Sequence, residues 1–457
     1  MSVPSIRKTV WTLAPMAMAL ALAMDVYVPA VPHMATLFHV SAGQMQLTLS
    51  LFMFTCGIVQ LVIGPLSDQY GRRRVSFFSI VIFSIGSILC ATAHSVPELI
   101  VYRIIQAIGA VGMMVCGFAI VRDRYHGEKS GKTYSYLNGI IAFSPMFAPF
   151  VGSYLDVHLG WQSTFLILLL ISLWAFLSLF FSLPESLPRN KRIKVDRRIF
   201  HEYKTIFTNR VFLNYTLSTA MGLSYLFIFC SISPYIIIQL LRIPELNYGY
   251  YFAFMGISFF VGSLLSGYFV GKIGIYKTVV VGFFISLIGG TIMALWYFIT
   301  GLTINNFIWP MLLIGIGGTF GLGAGSGGAM EPFGDTAGAA AALSGSFRFL
   351  FSAILGMVVI NKNISSTLPL ALPAVLFSLV GLILFFESAK GVDYYSSEVI
   401  LEQPASHFFL MSRFPWKLVI SFVRTRREPI PGARKPPSRR LTVRTKEITN
   451  FHGHTFL

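Results

Sequence analysis

Apolar residues in this chain do not alternate with polar ones; they come in long, nearly unbroken runs separated by short polar stretches. A window of about 19 residues finds runs near 12 to 33, 44 to 66, 75 to 94, 99 to 121, 135 to 156 and 163 to 183. After a basic stretch, six more follow near 212 to 235, 248 to 270, 278 to 299, 306 to 329, 337 to 360 and 368 to 387. Each is long enough to cross a hydrocarbon core about 30 Å thick as a helix. Numbered in chain order as spans 1 to 12, they predict an all-α membrane protein with two pseudo-symmetric six-helix bundles. Residues 1–183 form the first bundle and 211–388 the second, with a basic cytoplasmic linker at 184–210 and a basic, disordered cytoplasmic tail at 389–457.

Composition agrees with a lipid solvent. The 457 residues are 55% hydrophobic and 12% charged, with a mean hydropathy of +0.70, about half the charge of a soluble domain. Net charge is +17, and its placement is informative. Residues 184–210 carry eight Lys/Arg against three acids, and those after Glu387 carry twelve against five. In so apolar a chain the tendency of cytoplasmic loops to be positive accounts for this, and nucleic acid is not an expected partner. With the N-terminus inside, Arg72, Arg73, Arg74, Arg122, Arg124, Lys129, Lys132, the linker, Lys272 and Lys277 all fall on that side. Only Arg242 and Lys362 fall opposite, so both termini are expected in the cytoplasm. The first run lacks a small-residue cleavage site and contains Asp25, which reads as a retained span rather than a leader. Cys56, Cys90, Cys116 and Cys230 lie inside apolar runs without CxxC spacing and read as small core residues. In the tail, 407 to 423 mixes Phe, Leu and Trp416 with Arg413 and Lys417, a pattern that suits a membrane surface.

An internal echo links the halves. Gly64, Asp68, Gly71 and Arg74 after span 2 recur as Gly267, Gly271, Gly274 and Lys277 after span 8, at the same offsets. A duplicated six-span unit points to a transporter whose substrate path lies between the halves. Ionisable groups inside spans are costly, about 2.5 to 3.5 kcal/mol each on insertion scales, and three stand well inside: Asp25, Arg103 and Arg348. Asp25 with Arg103 reads either as a proton-coupling pair or as a static buried pair that fixes packing. Gln106 and Met113 continue the Arg103 face of span 4, toward a cavity or a helix contact. Span 5 carries Pro145, Pro149 and Gly152, as a packing kink or as a bend beside the cavity. The segment Gly64, Asp68, Gly71, Arg72 and Arg73 is expected to be a loop whose acid sits against the positive end of a neighbouring helix as a conformational switch, or whose cations only set topology. Tyr27, Phe143, Met146, Tyr225, Phe229 and Arg348 are candidate cavity residues, although aromatic side chains can equally face lipid. GIGGTFGLGAGSGG from Gly315 lacks a Walker lysine and reads as tight packing or a flexible helix. HExxH, GxSxG and GxxxxGK[ST] are absent, so neither an enzyme, a metal site nor ATP-driven transport is expected.

Several of these motifs resemble the major facilitator superfamily, across about residues 9 to 388. GPLSDQYGRRR resembles its loop signature between spans 2 and 3. YRIIQAIGA, from Tyr102, resembles the span 4 signature of its drug:proton antiporters, which implies a part in proton transfer for Arg103. DVYVPAVP resembles the span 1 signature of the twelve-span exporters and carries over to Asp25 and Pro29. SPMFAPFVG keeps Pro149 and Gly152 of the antiporter signature, with Ala148 where glycine is usual. GWQSTF resembles GWRxxF with Gln162 in place of arginine. EPFGDTAGAAAALSGSFRF, from Glu331, is similar to the span 10 to 11 region of the bacterial bicyclomycin/chloramphenicol resistance group, often called Bcr/CflA, which resides in the inner membrane. The resemblance implies a monomeric antiporter that exports small amphipathic molecules, drawing on the proton gradient without a cofactor. Competing expectations are export or uptake of a specific metabolite or siderophore, and a membrane-embedded sensor or enzyme that uses its tail.

Overall fold

The computed structural model describes residues 6–125, 127–192, 198–334, 336–360 and 366–399, which fold into helices and short connections with no strand among them. Lys362, the stretch 407 to 423 and the tail beyond residue 399 lie outside the described residues. Span 1, Ile6–Leu37, is not one helix: an α-helix Ile6–Asp25 ends in a turn, followed by a 3-10 turn Val28–Ala30 and a short helix Val31–Leu37. Pro29 and Pro32 cannot donate a backbone hydrogen bond, so neither continues the bonding ladder of the first helix past Asp25. Span 2, Ala42–Tyr70, opens on a capping box in which Ser41 and Gln44 satisfy each other's backbone N–H groups. Spans 3 to 6 follow as Arg72–Ala91, Val96–Arg124, Lys129–Leu159 and Ser163–Ser182. Span 7, Arg210–Leu240, finishes in a π-helical turn Tyr235–Leu240. Span 10 is Ile304–Met330, span 11 Ala337–Val359 and span 12 Leu368–Glu387, whose helix continues to Val399.

Spans 8 and 9 share one helical run, Glu245–Thr300, of 56 residues. At 1.5 Å per residue it would be roughly 84 Å long, nearly three times a bilayer core. It divides at Gly274, whose φ of 81° and ψ of 167° interrupt the helix, so eleven apolar helices make twelve crossings. Gly274 is the counterpart of Gly71 in the repeated segment, and Gly71 has φ 100° and ψ 143°. The echo in sequence is therefore an echo in backbone. One correction follows: Gly64 and Asp68 are not in a loop, because span 2 is helical to Tyr70 and span 3 starts at Arg72, leaving Gly71 alone as the connection. Within the linker, Arg198–Phe207 is helical.

In the first half span 1 packs on spans 4, 5 and 6, and span 4 on spans 2 and 3. In the second half span 10 packs on span 7 and on the Glu245–Thr300 run, and span 11 on span 7. The halves meet along spans 2 and 11 and along spans 5 and 8, with glycine at the seams. A Cβ on Gly57 would lie 2.7 Å from Leu350 Cγ, and one on Gly256 would lie 2.6 Å from the Met146 backbone. The glycine-rich run of span 10 is tight packing of the same kind: Gly317 abuts Ser286 of span 9, and Gly321 and Gly325 abut Ser218 of span 7. All four cysteines are buried and free.

The paired breaks generate a comparison. Forcing alanine into a backbone region populated essentially by glycine costs about 1–3 kcal/mol. Gly274→Ala should lower the melting temperature of the purified protein accordingly. Gly71→Ala should lower it further, because its Cβ would also lie 2.5 Å from the Glu185 carboxylate. Gly267→Ala, with nothing within 4 Å, should leave the melting curve where it is.

Candidate functional site

Asp25 is the last residue of the first helix of span 1 and is buried, 4% exposed. Its Oδ2 accepts a hydrogen bond from Ser144 Oγ at 2.7 Å, across from span 5. Opposite the break, Gly152 approaches so closely that a Cβ would lie 2.1 Å from the Val26 carbonyl oxygen; any larger residue would push span 5 off the turn. Cys230 of span 7 and Tyr248 of span 8 lie within electrostatic reach of the same carboxyl. Asp25 thus stands where the halves adjoin, with a hydroxyl as its hydrogen-bond partner and no cation within ion-pair distance among the described residues.

The expected contact between Asp25 and Arg103 is not made. Arg103 is fully buried, and its Nη1 donates to the Ala23 carbonyl at 2.9 Å and to Gln106 Oε1 at 2.7 Å. Ala23 is in the last turn of the broken helix, whose carbonyls carry partial negative charge and lack helical partners, so a cation is favoured there. Tyr27 and Phe52 surround the guanidinium with ring centroids at 4.7 and 4.2 Å from Cζ, close enough for cation–π attraction. Gln106 passes the chain of bonds to Ser87 Oγ at 2.9 Å, and Tyr27 shares a hydrogen bond with Thr48 Oγ1 at 2.8 Å. Arg103 is therefore tied to the backbone two residues before Asp25 and is not paired with its carboxylate among the described residues. The carbonyl that receives it carries no side-chain signature, so sequence alone pointed to the nearest acid instead.

The candidate cavity residues lie in different surroundings. Tyr27, Gln106 and Met113 are packed inside the first half at 0% exposure. Tyr225 and Phe229 are packed inside the second, Phe229 stacked on Phe307 at 5.6 Å. Phe143 is exposed and stacked on Phe147 at 4.1 Å. Met146 lies at the seam against Gly256. The Arg348 guanidinium lies 5.4 Å from the Phe349 ring centroid, and its buried Nε has no hydrogen-bond partner among the described residues. These side chains do not converge on one wall. Pro145 and Pro149 are accommodated within one continuous helix, Gly127–Leu159.

On the side of the bilayer that carries the N-terminus, Arg72 is the hub. It pairs with Asp68, bonds Ser67 Oγ, and its Nε donates to Asp123 Oδ2 of span 4 at 3.1 Å. The acid that sits on a helix N-terminus is not Asp68 but Glu185, whose Oε1 accepts from the backbone N–H groups of Arg72 at 2.9 Å and Arg73 at 3.4 Å. Arg73 Nη2 donates to the Phe180 carbonyl at 3.2 Å, and Arg192 reaches Glu185 at 3.6 Å. Spans 2, 3, 4 and the end of span 6 are tied together here, while Gly64 has nothing within 4 Å of a would-be Cβ. Asp123 and Glu185 were missed because each borders a basic stretch and reads as its solvated counter-charge.

The sequence profile of the Major Facilitator Superfamily matches residues 13–357. The chain belongs to the Major Facilitator Superfamily. Among this facilitator's relatives is a chloramphenicol resistance protein of Pseudomonas aeruginosa, 29% identical over 78% of this chain and 84% of that one. A bicyclomycin resistance protein homolog of Haemophilus influenzae is 25% identical over 79% and 90%, and multidrug resistance protein D of Escherichia coli 27% over 73% and 84%. These relatives are consistent with the bicyclomycin/chloramphenicol resistance group that the motifs resemble. Among solved structures the facilitator resembles a D-xylose-proton symporter, with a TM-score of 0.67 at 16% identity over 83% of this chain and 97% of that one. A bacterial homolog of the lysosomal transporter Spinster, inward-facing and unoccupied, gives 0.63 at 16% over 85% and 98%. At such identity the two structures speak for the fold.

Two substitutions check the geometry. Arg103→Lys keeps the charge but not the planar fork, and losing a hydrogen bond made by a charged group should cost about 1.5–3 kcal/mol, read as a lower melting temperature. Glu185→Ala should cost about 1 kcal/mol, as for other removed helix caps, and Glu185→Gln should recover most of it.

Proposed function

We propose that this facilitator is a proton-driven exporter of small amphipathic molecules, acting as a monomer in a bacterial inner membrane with both termini in the cytoplasm. The observation that carries the reading is Asp25, a buried carboxyl at the break of span 1 whose hydrogen-bond partner is Ser144. An ionised carboxylate is expensive in that setting, so gaining and losing a proton changes the local energy strongly. Support for the orientation comes from Arg72, Arg73, Arg74, Arg122, Arg124, Lys129, Lys132, Lys272 and Lys277, all on the N-terminal side. Support for the cargo comes from relatives named for resistance to chloramphenicol and bicyclomycin.

The cycle follows from this placement. Substrate enters from the cytoplasm or the inner leaflet while Asp25 is ionised, and a proton from the far side neutralises Asp25 and favours release. One proton moving down 100 mV supplies about 2.3 kcal/mol before any pH gradient, enough to sustain accumulation against a gradient. Arg103 holds the end of the broken helix through the Ala23 carbonyl, so the turn carrying Asp25 keeps its shape as the carboxyl changes charge.

Efflux measured in inverted vesicles, with chloramphenicol first in the panel, tests the proposal. Asp25→Asn should abolish uphill transport while leaving downhill exchange. Uphill transport by Asp25→Asn equal to the parent's overturns the assignment.

A further inference from the structure

A second carboxyl cluster lies at the opposite end of the molecule from the N-terminus, where spans 1, 5, 7 and 8 come together. Asp156, near the end of span 5, has a side chain with no exposed surface. Its Oδ1 is 2.9 Å from His33 Nδ1 on the last helix of span 1, and its Oδ2 is buried without a hydrogen-bond partner. Glu245, the first residue of span 8, comes from the other half. Its side chain lines the same cleft as Asp156 and interacts with it electrostatically, and its Oε1 is also buried without a hydrogen-bond partner. Pro29, His33, Thr36, Asp156, Gln239 and Glu245 line a cleft of about 410 Å³ at this point.

Two ionised carboxylates have acceptors and no donor, so a contact between them leaves like charges facing each other. One proton turns the same contact into a short O–H···O⁻ hydrogen bond, of the kind about twice as strong as a neutral one. No Lys or Arg among the described residues is within ion-pair distance of either carboxyl. Arg242 is exposed, and His158 packs on Tyr154 with the rings tilted, 4.4 Å between centroids. His33, its side chain 47% exposed, meets Asp156 through Nδ1 at 2.9 Å.

We propose that Asp156 and Glu245 form a second proton-binding site, a latch in which one proton from the far side joins the ends of spans 5 and 8 and its loss lets them part. Sign follows directly: the latch holds in acid and releases as pH rises. The inference rests on the export reading for its place in the cycle, where a proton arriving from outside closes the far side after release. It requires no change in the role of Asp25.

The test uses the full chain in lipid nanodiscs, in an Asp25→Asn background that removes the other carboxyl. Spin labels on Leu37→Cys and Asn247→Cys, both exposed positions on opposite halves, report the separation at the far side. The native cysteines are all buried and should not take up label. The distance should shorten from mildly alkaline to mildly acidic pH. Glu245→Gln, whose amide can donate permanently to Asp156, should stay at the short distance with the pH response lost, and Asp156→Asn should lose it too. His33→Gln should keep the response. A Glu245→Gln protein that titrates like its parent, a parent without a response, or a His33→Gln protein that loses it overturns the latch. Because distance rather than efflux is read, the latch can fail while proton-driven export stands, and the reverse.

Discussion

The Arg103 guanidinium is the constraint around which the first half is arranged. A fully buried cation without an acid in contact must find negative potential elsewhere, or its desolvation would dominate. Here it finds the carbonyl end of an interrupted helix, an amide oxygen and three aromatic rings. The break in span 1 is therefore not a defect that the fold tolerates. It supplies the acceptor that makes Arg103 affordable at that depth, and it places Asp25 at the turn.

Much of the architecture was legible in the chain because the bilayer permits few solutions. A run of about 20 apolar residues has to be a spanning helix, so twelve runs fixed the class, and the Gly64 and Gly267 offsets exposed the duplication. Connections were read less well. Span 2 runs through Pro65 to Tyr70, since a glycine-rich, charged segment resembles a loop even when only Gly71 leaves the helix. Side-chain roles were read least well. Asp25 pairs with Ser144 and Arg103 with a backbone carbonyl, and neither hydroxyls nor carbonyls stand out in sequence as an acid beside an arginine does. Tyr27, Tyr225 and Phe229 are buried and Phe143 is exposed, a difference the sequence does not show, because an apolar ring in a span looks the same whether it meets substrate, lipid or a neighbouring helix.

The acids divide the molecule by depth. Asp68, Asp123 and Glu185 gather around Arg72 on the N-terminal side and are compensated by it, by Arg192 and by helix N–H groups. Asp25 at the middle has a hydroxyl for partner, and Asp156 with Glu245 at the far end has His33, on Asp156, but no Lys or Arg within ion-pair distance among the described residues. Charge is thus balanced where the chain carries many cations and left unbalanced along the rest of the path, which is where protonation has most leverage on the energy.

The linker helix Arg198–Phe207 has one more consequence. Tyr203 Oη donates to the Leu61 carbonyl of span 2 at 3.2 Å, while Ile206 packs with Phe212, Ala329 and Ala340 of the second half. It straddles both bundles as a strut rather than hanging between them as a slack tether. A net hydrogen bond contributes about 0.5–1.5 kcal/mol, so this strut behaves as a detent: firm enough to favour one spacing of the bundles, weak enough to let thermal motion carry them past it.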